Sequence, residues 1–126
     1  MLGNQNDMFK KKNWVVIGVT NKKHRFGYRI WTLLQDLGYN VYGINPNINE
    51  IDGIKIYDNL REIEDNIDVI NMVVNPEIGK NHLEVGHELG IQDVFFQPGS
   101  YDQEIIDLAD KLGYRRVTGC VYASLS

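Results

Sequence analysis

The chain has 126 residues, 43% of them hydrophobic and 24% charged, with a formal net charge of −4. That is enough chain to bury the core of one domain and too little for a second, and the acidic balance argues against a general nucleic-acid binder, which needs a basic surface. No apolar run approaches the roughly 20 residues of a membrane span or forms the hydrophobic region of a secretion signal, and the lone Cys120 cannot close an internal disulfide, so a cytoplasmic protein with no membrane partner is expected.

Residues 1–12 show no period and read as an N-terminal extension: either a frayed terminus, or a short helical turn in which Leu2, Met8 and Phe9 cap a face of the sheet. The domain proper is expected over 13–126. From Trp14 to Ile17 every side chain is apolar, as in a central parallel strand covered on both faces. The run stops at Gly18, becomes the polar loop Val19-Thr20-Asn21-Lys22-Lys23-His24-Arg25, and restarts as a helix over 26–37 with Ile30, Leu33, Leu34 and Leu37 at helical spacing. Gly38 ends that helix.

The second strand is 40–44, closed by Asn45-Pro46, because the residue before a proline avoids the helical region. A compact insertion follows, with a turn at Asp52-Gly53, a short alternating run over 54–57, and a brief helix through Glu64 capped by Asp58 or Asn59. The third strand, 67–74, again ends in Asn-Pro, here Asn75-Pro76, and leads to a helix over 77–89 stopped by Gly90. Strand four is 93–97, passing through Pro98-Gly99-Ser100 into a helix over 102–112 that Gly113 ends. A shorter fifth strand spans 115–119, and 120–126 carries no assignment.

This alternation predicts a single α/β domain: a three-layer, Rossmann-like, doubly wound parallel sheet. In such sheets ligands sit beyond the carboxyl ends of the strands, where strand order reverses. The loops at Gly18–Arg25, Asn45-Pro46, Val74-Asn75-Pro76 and Gln97-Pro98-Gly99 therefore share one edge. Residues 8–35 contain no Asp or Glu and hold seven of the 13 Lys and Arg residues. An acidic chain thus carries a ligand-sized basic patch at its first loop, and a helix start there offers unpaired N–H groups to a phosphorylated ligand.

A nicotinamide dinucleotide site normally shows G-x-G-x-x-G after the first strand and an acid at the end of the second, and neither is present; nor is there a G-x-x-x-x-G-K-[S/T] run. The sequence does resemble the small stand-alone coenzyme A-binding domain proteins, relatives of the domain in the alpha subunit of succinyl-CoA synthetase. The resemblance rests on Gly18-Val19-Thr20-Asn21 with Arg25-Phe26-Gly27-Tyr28-Arg29, Gly38-Tyr39, Val41 through Asn45-Pro46, Gln97-Pro98-Gly99 and Cys120. Proline follows the cysteine in many relatives, where Val121 stands here.

The resemblance implies coenzyme A or an acyl-CoA as ligand. Gly18, Val19, Thr20, Asn21 and Arg25 would hold the diphosphate, Asn45 and Pro46 would border the adenosine, and Val74, Asn75 and Pro76 would line the nucleotide or pantetheine path. Gln97 and Gly99 would lie toward the thiol end. Several of these residues also have plain structural readings: a tight turn at Gly18, helix caps at Asn45 and Asn75, a small buried residue at Cys120, which is otherwise the candidate for contact with the ligand thiol. His82 and His87, five apart, do not share a helix face as metal ligands would and are read as surface or packing residues. No zinc spacing, nucleophile elbow or paired carboxylates stand out. The expectation is a non-catalytic binding or regulatory protein whose protein partner, if any, is unspecified; the alternative is an NAD(P)-binding enzyme or redox-sensing module.

Overall fold

The computed structural model describes residues 1–126. Five parallel strands form one sheet in the order β2-β1-β5-β6-β7, where β1 is Asn13–Ile17, β2 Asn40–Ile44, β5 Val69–Met72, β6 Asp93–Phe96 and β7 Arg115–Thr118. The short pair β3 (Glu50–Ile51) and β4 (Ile54–Lys55) stands apart as the turn of the insertion. Because β2 and β5 flank β1 on opposite sides, the strand order reverses between β1 and β5. The predicted ligand edge therefore has a defined point.

Side chains alternate along each strand and build two cores. Val15 and Ile17 of β1 pack with Leu83, Ile105 and Ala109 of α3 (Pro76–Glu88) and α4 (Gln103–Lys111). Trp14 and Val16 pack with Ile30, Trp31 and Leu34 of α2 (Phe26–Asp36) on the other face, together with Met8 from α1 (Gln5–Phe9) and Val121 from α5 (Val121–Leu125). All of β1 from Trp14 to Ile17 is fully buried, which accounts for its unbroken apolar sequence.

The N-terminal residues are tied down rather than frayed. Asn4 caps α1, and Met8 is buried against the sheet. Leu2 does not join the helical turn expected for it: its side chain is 79% exposed, and the backbone around it pairs beside β7 through Gly3 N–H to the Arg116 carbonyl (2.8 Å) and Arg116 N–H to the Met1 carbonyl (3.0 Å). That pairing covers an otherwise open sheet edge. Lys11 and Arg115 both pair with the carboxylate of Asp93, whose side chain is only 2% exposed.

Several expected boundaries contract, two of them by more than a residue at an end. The third strand runs over four residues, Val69–Met72, because Val73 and Val74 already belong to the edge loop, although Val73 N–H still reaches the Ile17 carbonyl at 2.9 Å. The brief helix expected through Glu64 is one 3₁₀ turn, Leu60–Glu62, closed by a capping box between Asn59 and Glu62. The unassigned residues after Gly119 form α5, whose first N–H, from Val121, donates to Gln97 Oε1 at 3.1 Å.

Candidate functional site

A hollow of about 550 Å³ opens beyond the carboxyl ends of β1 and β5. Gly18, Thr20, Lys22, His24 and Arg25 line it from the first loop, Phe26 and Gly27 from the start of α2, Asn45 from the end of β2, Val73 and Val74 from behind β5, and Gln97 and Pro98 from behind β6. No Asp or Glu is among them. The field in the hollow is set by Lys22, Arg25 and the helix dipole, all favouring an anion.

Local chemistry builds this loop. Gly18 has φ +103°, a conformation that favours glycine, and its N–H donates to the Ile44 carbonyl at 3.0 Å, so the chain leaves β1 while still held to β2. The Thr20 hydroxyl accepts from Lys22 N–H at 3.2 Å, and Arg25 N–H donates to the Lys22 carbonyl at 3.0 Å. The loop thus turns on itself before α2 begins. A Cβ added to Gly27 would lie 2.4 Å from the Gly18 carbonyl oxygen, so the first turn of α2 sits directly on the glycine turn.

Helix capping separates α2 from its neighbours. Asn4, Asn75, Asp102 and Cys120 each supply a side-chain acceptor to the helix that follows, and Asn59 does the same for the 3₁₀ turn. Arg25 precedes α2 without any side-chain cap, and the first turn of α2 holds no acid. Its leading N–H groups face the hollow with no side-chain acceptor.

Of the residues singled out from sequence, Gly18, Thr20, Arg25, Asn45, Val74 and Gln97 meet in this hollow. Val19 is buried in the core, where only its backbone serves the edge: its carbonyl accepts from Asn45 Nδ2 at 2.9 Å. Asn45 also accepts from Asn47 N–H at 2.9 Å, so it clamps the β2 loop to the β1 loop. Asn21 is exposed on the loop outside the lining, and Gly99 is exposed in a turn with φ +87°. Asn75 caps α3 by accepting from Ile78 N–H at 3.1 Å, and Pro76 opens that helix.

Gln97 is 2% exposed, and both ends of its amide are engaged inside the protein, with Nε2 on Asn71 Oδ1 at 2.7 Å and Oε1 on Val121 N–H. Cys120 lines neither this hollow nor its neighbour; its Sγ accepts from Ala123 N–H at 3.5 Å and starts α5. Arg29 stacks between the rings of Phe26 and Tyr122, 5.4 and 4.4 Å from their centroids, and joins α5 to the start of α2.

A second hollow, of about 260 Å³, adjoins the first on the α3 side, and Gly18, Asn45 and Val74 face both. Pro46 lies here rather than in the first. So does His82, which the sequence assigns to the surface or to packing because it and His87, five apart, share no helix face. Burial pushes its imidazole below the ordinary value of 6.5. The folded chain therefore favours neutral His82: its contribution to stability is intact above pH 6.5 and falls away as the pH drops toward the lowered folded value. Melting curves of the wild type should lose more stability on acidification through that window than those of His82→Gln; parallel pH profiles would contradict this.

The fold and this edge define an α/β domain of the Rossmann-like class, with a hollow that Lys22 and Arg25 line without any acid at the reversal of strand order. A protein-family model described as a CoA binding domain matches residues 12–126, and the chain belongs to that family. It is similar to an ADP-forming acetate–CoA ligase of Methanocaldococcus jannaschii, 31% identical over 99 residues covering 74% of this chain and 14% of the ligase. It is also similar to the alpha subunit of ADP-forming acetate–CoA ligase II of Pyrococcus furiosus, 26% identical over 85% of this chain and 26% of that subunit. The chain thus spans only a minor part of these ligases. Among solved structures, a hypothetical protein from Pyrococcus horikoshii superposes with a TM-score of 0.88 at 28% identity, covering 94% of this chain and 84% of that one. No helix is long and apolar enough to cross a membrane.

Proposed function

We propose that this domain binds coenzyme A or an acyl-CoA along the carboxyl edge of its sheet. The diphosphate sits on the Gly18–Arg25 loop and the start of α2, the adenosine beside Asn45 and Pro46, and the pantetheine arm runs past Val74, Asn75 and Pro76 toward Gln97 and Gly99. One observation carries the reading: the helix start left without a cap is the one that opens into an acid-free hollow beside Lys22 and Arg25. Family membership supports coenzyme A as the polyanion.

In this reading the chain is a binding or regulatory module, and the chemistry of the much longer ligases belongs to parts they do not share with it. The single cysteine supports a cytoplasmic setting. Against a nicotinamide dinucleotide stands Asn45, which ends β2 where an acid would hold the ribose hydroxyls. Native mass spectrometry of the protein with an equimolar mixture of coenzyme A, NAD and NADP should give a single adduct of coenzyme A mass. An adduct with a nicotinamide dinucleotide, or none with coenzyme A, would contradict the proposal.

A further inference from the structure

The amide of Gln97 joins two parts of the molecule. Gln97 belongs to the wall of the first hollow, and it also holds α5, because its Oε1 accepts from Val121 N–H at 3.1 Å. A backbone N–H can only donate, so this bond fixes which end of the Gln97 amide is the oxygen. Nε2 therefore points the other way and donates to Asn71 Oδ1 at 2.7 Å. Asn71 is fully buried, and that second bond commits its Nδ2 to a place where the protein offers no acceptor. An orphaned buried donor of this kind is rare and costly.

Only two arrangements of the two amides keep the bond between them. In the first, the one in the structure, Val121 N–H is satisfied and Asn71 Nδ2 is not. Turning both amides over gives the second, in which Asn71 Nδ2 donates to Gln97 Oε1 and Gln97 Nε2 faces Val121 N–H, donor against donor. Each strands one buried N–H, so neither wins on its count of hydrogen bonds. A ligand carbonyl oxygen in the first hollow decides between them, since only the second arrangement frees Gln97 Nε2 from Asn71 to donate to it.

The anchorage of α5 depends on the first arrangement. With five residues α5 is too short to persist alone, and besides the Gln97 bond it is held by the buried Val121 side chain and by Arg29 stacked on Tyr122. We propose that Asn71 and Gln97 form a two-state switch through which a carbonyl-bearing ligand in the first hollow loosens α5. This rests on the coenzyme A reading, in which the amide carbonyls of the pantetheine arm pass Gln97, and it makes the domain a reporter of its own occupancy. The nucleotide diphosphate carries no carbonyl and leaves the pair unturned.

The test is hydrogen exchange read by mass spectrometry over residues 120–126, with calorimetry to establish that coenzyme A is bound. Coenzyme A should speed exchange there about tenfold in the wild type, the worth of one hydrogen bond, although bound ligands ordinarily slow it. ADP, which has the diphosphate without the arm, should not. Gln97→Glu offers acceptors to Val121 N–H and Asn71 Nδ2 at once and has no proton to donate, so its α5 should exchange slowly with or without coenzyme A. Val121→Pro removes the N–H at the first helical position, where proline is tolerated, so exchange should be fast from the start and coenzyme A should add nothing. This second variant carries the test if the buried carboxylate of the first prevents folding. Wild-type exchange that coenzyme A leaves unchanged or slows, that ADP speeds equally, or that coenzyme A speeds as much in either variant would overturn the switch and leave coenzyme A binding intact. Failure of coenzyme A to bind the wild type in calorimetry would overturn the parent reading and the switch with it.

Discussion

Gly27→Ala should destabilise the domain by about 2 kcal/mol and remove coenzyme A binding with it. Two effects oppose each other at this position. Alanine favours a helix over glycine by about 1 kcal/mol. The new Cβ, however, meets the Gly18 carbonyl oxygen at 2.4 Å, a backbone atom that cannot rotate away, and overpacking of that kind costs up to about 3 kcal/mol. The clash wins, and it is relieved only by moving α2 off the glycine turn, which separates the leading N–H groups from the loop that shares their ligand. Gly119→Ala is the control, because its added Cβ would meet nothing closer than 3.6 Å. Urea denaturation should show a lowered midpoint for Gly27→Ala and little change for Gly119→Ala; equal midpoints would show that the contact between α2 and the turn is not tight.

Arg25→Ala should weaken coenzyme A by about 1.5–3 kcal/mol, the range for a hydrogen bond to a charged group, and leave the melting temperature of the unliganded protein nearly unchanged. The guanidinium lines the hollow and forms no ion pair within the chain, so its loss strands no internal partner. Lys10 lies just after α1, outside both hollows, and Lys10→Ala should change affinity little. Calorimetry separates a contact from a field: equal losses for the two variants would mean that the basic patch acts only through its overall charge.

The sheet was legible because its punctuation is chemical. Gly38, Gly90 and Gly113 each take positive φ just beyond a helix, and the Asn45-Pro46 and Asn75-Pro76 pairs mark where strands give way to edge loops. The apolar run Trp14–Ile17 of β1 announced a strand covered on both faces. Short elements carried no such signal. The five residues of α5 are too few to display a helical period, and their position is fixed by distant partners, Gln97 through its amide and Arg29 through the Tyr122 ring. Leu2 pairs through its backbone, to which side-chain pattern is blind.

For the site, sequence placed the first loop and its basic charge at the correct edge because strand–loop–helix order and the reversal of strand order suffice for that. It could not show that Gln97 is engaged internally by Asn71 and Val121, or that Val19 turns its side chain inward, since these depend on which face of the sheet each residue meets. His82 lies 37 residues after Asn45 in the chain, and only the packing of α3 beside the end of β2 brings both to the second hollow.

Thermal melting with separate additions of coenzyme A, NAD and NADP tests the central claim most directly. Coenzyme A at about 100 times its dissociation constant should stabilise the fold by about 2.7 kcal/mol, a rise of roughly 10 °C for a domain of this size, with no comparable rise for the two dinucleotides. A rise with NAD or NADP and none with coenzyme A would contradict the account.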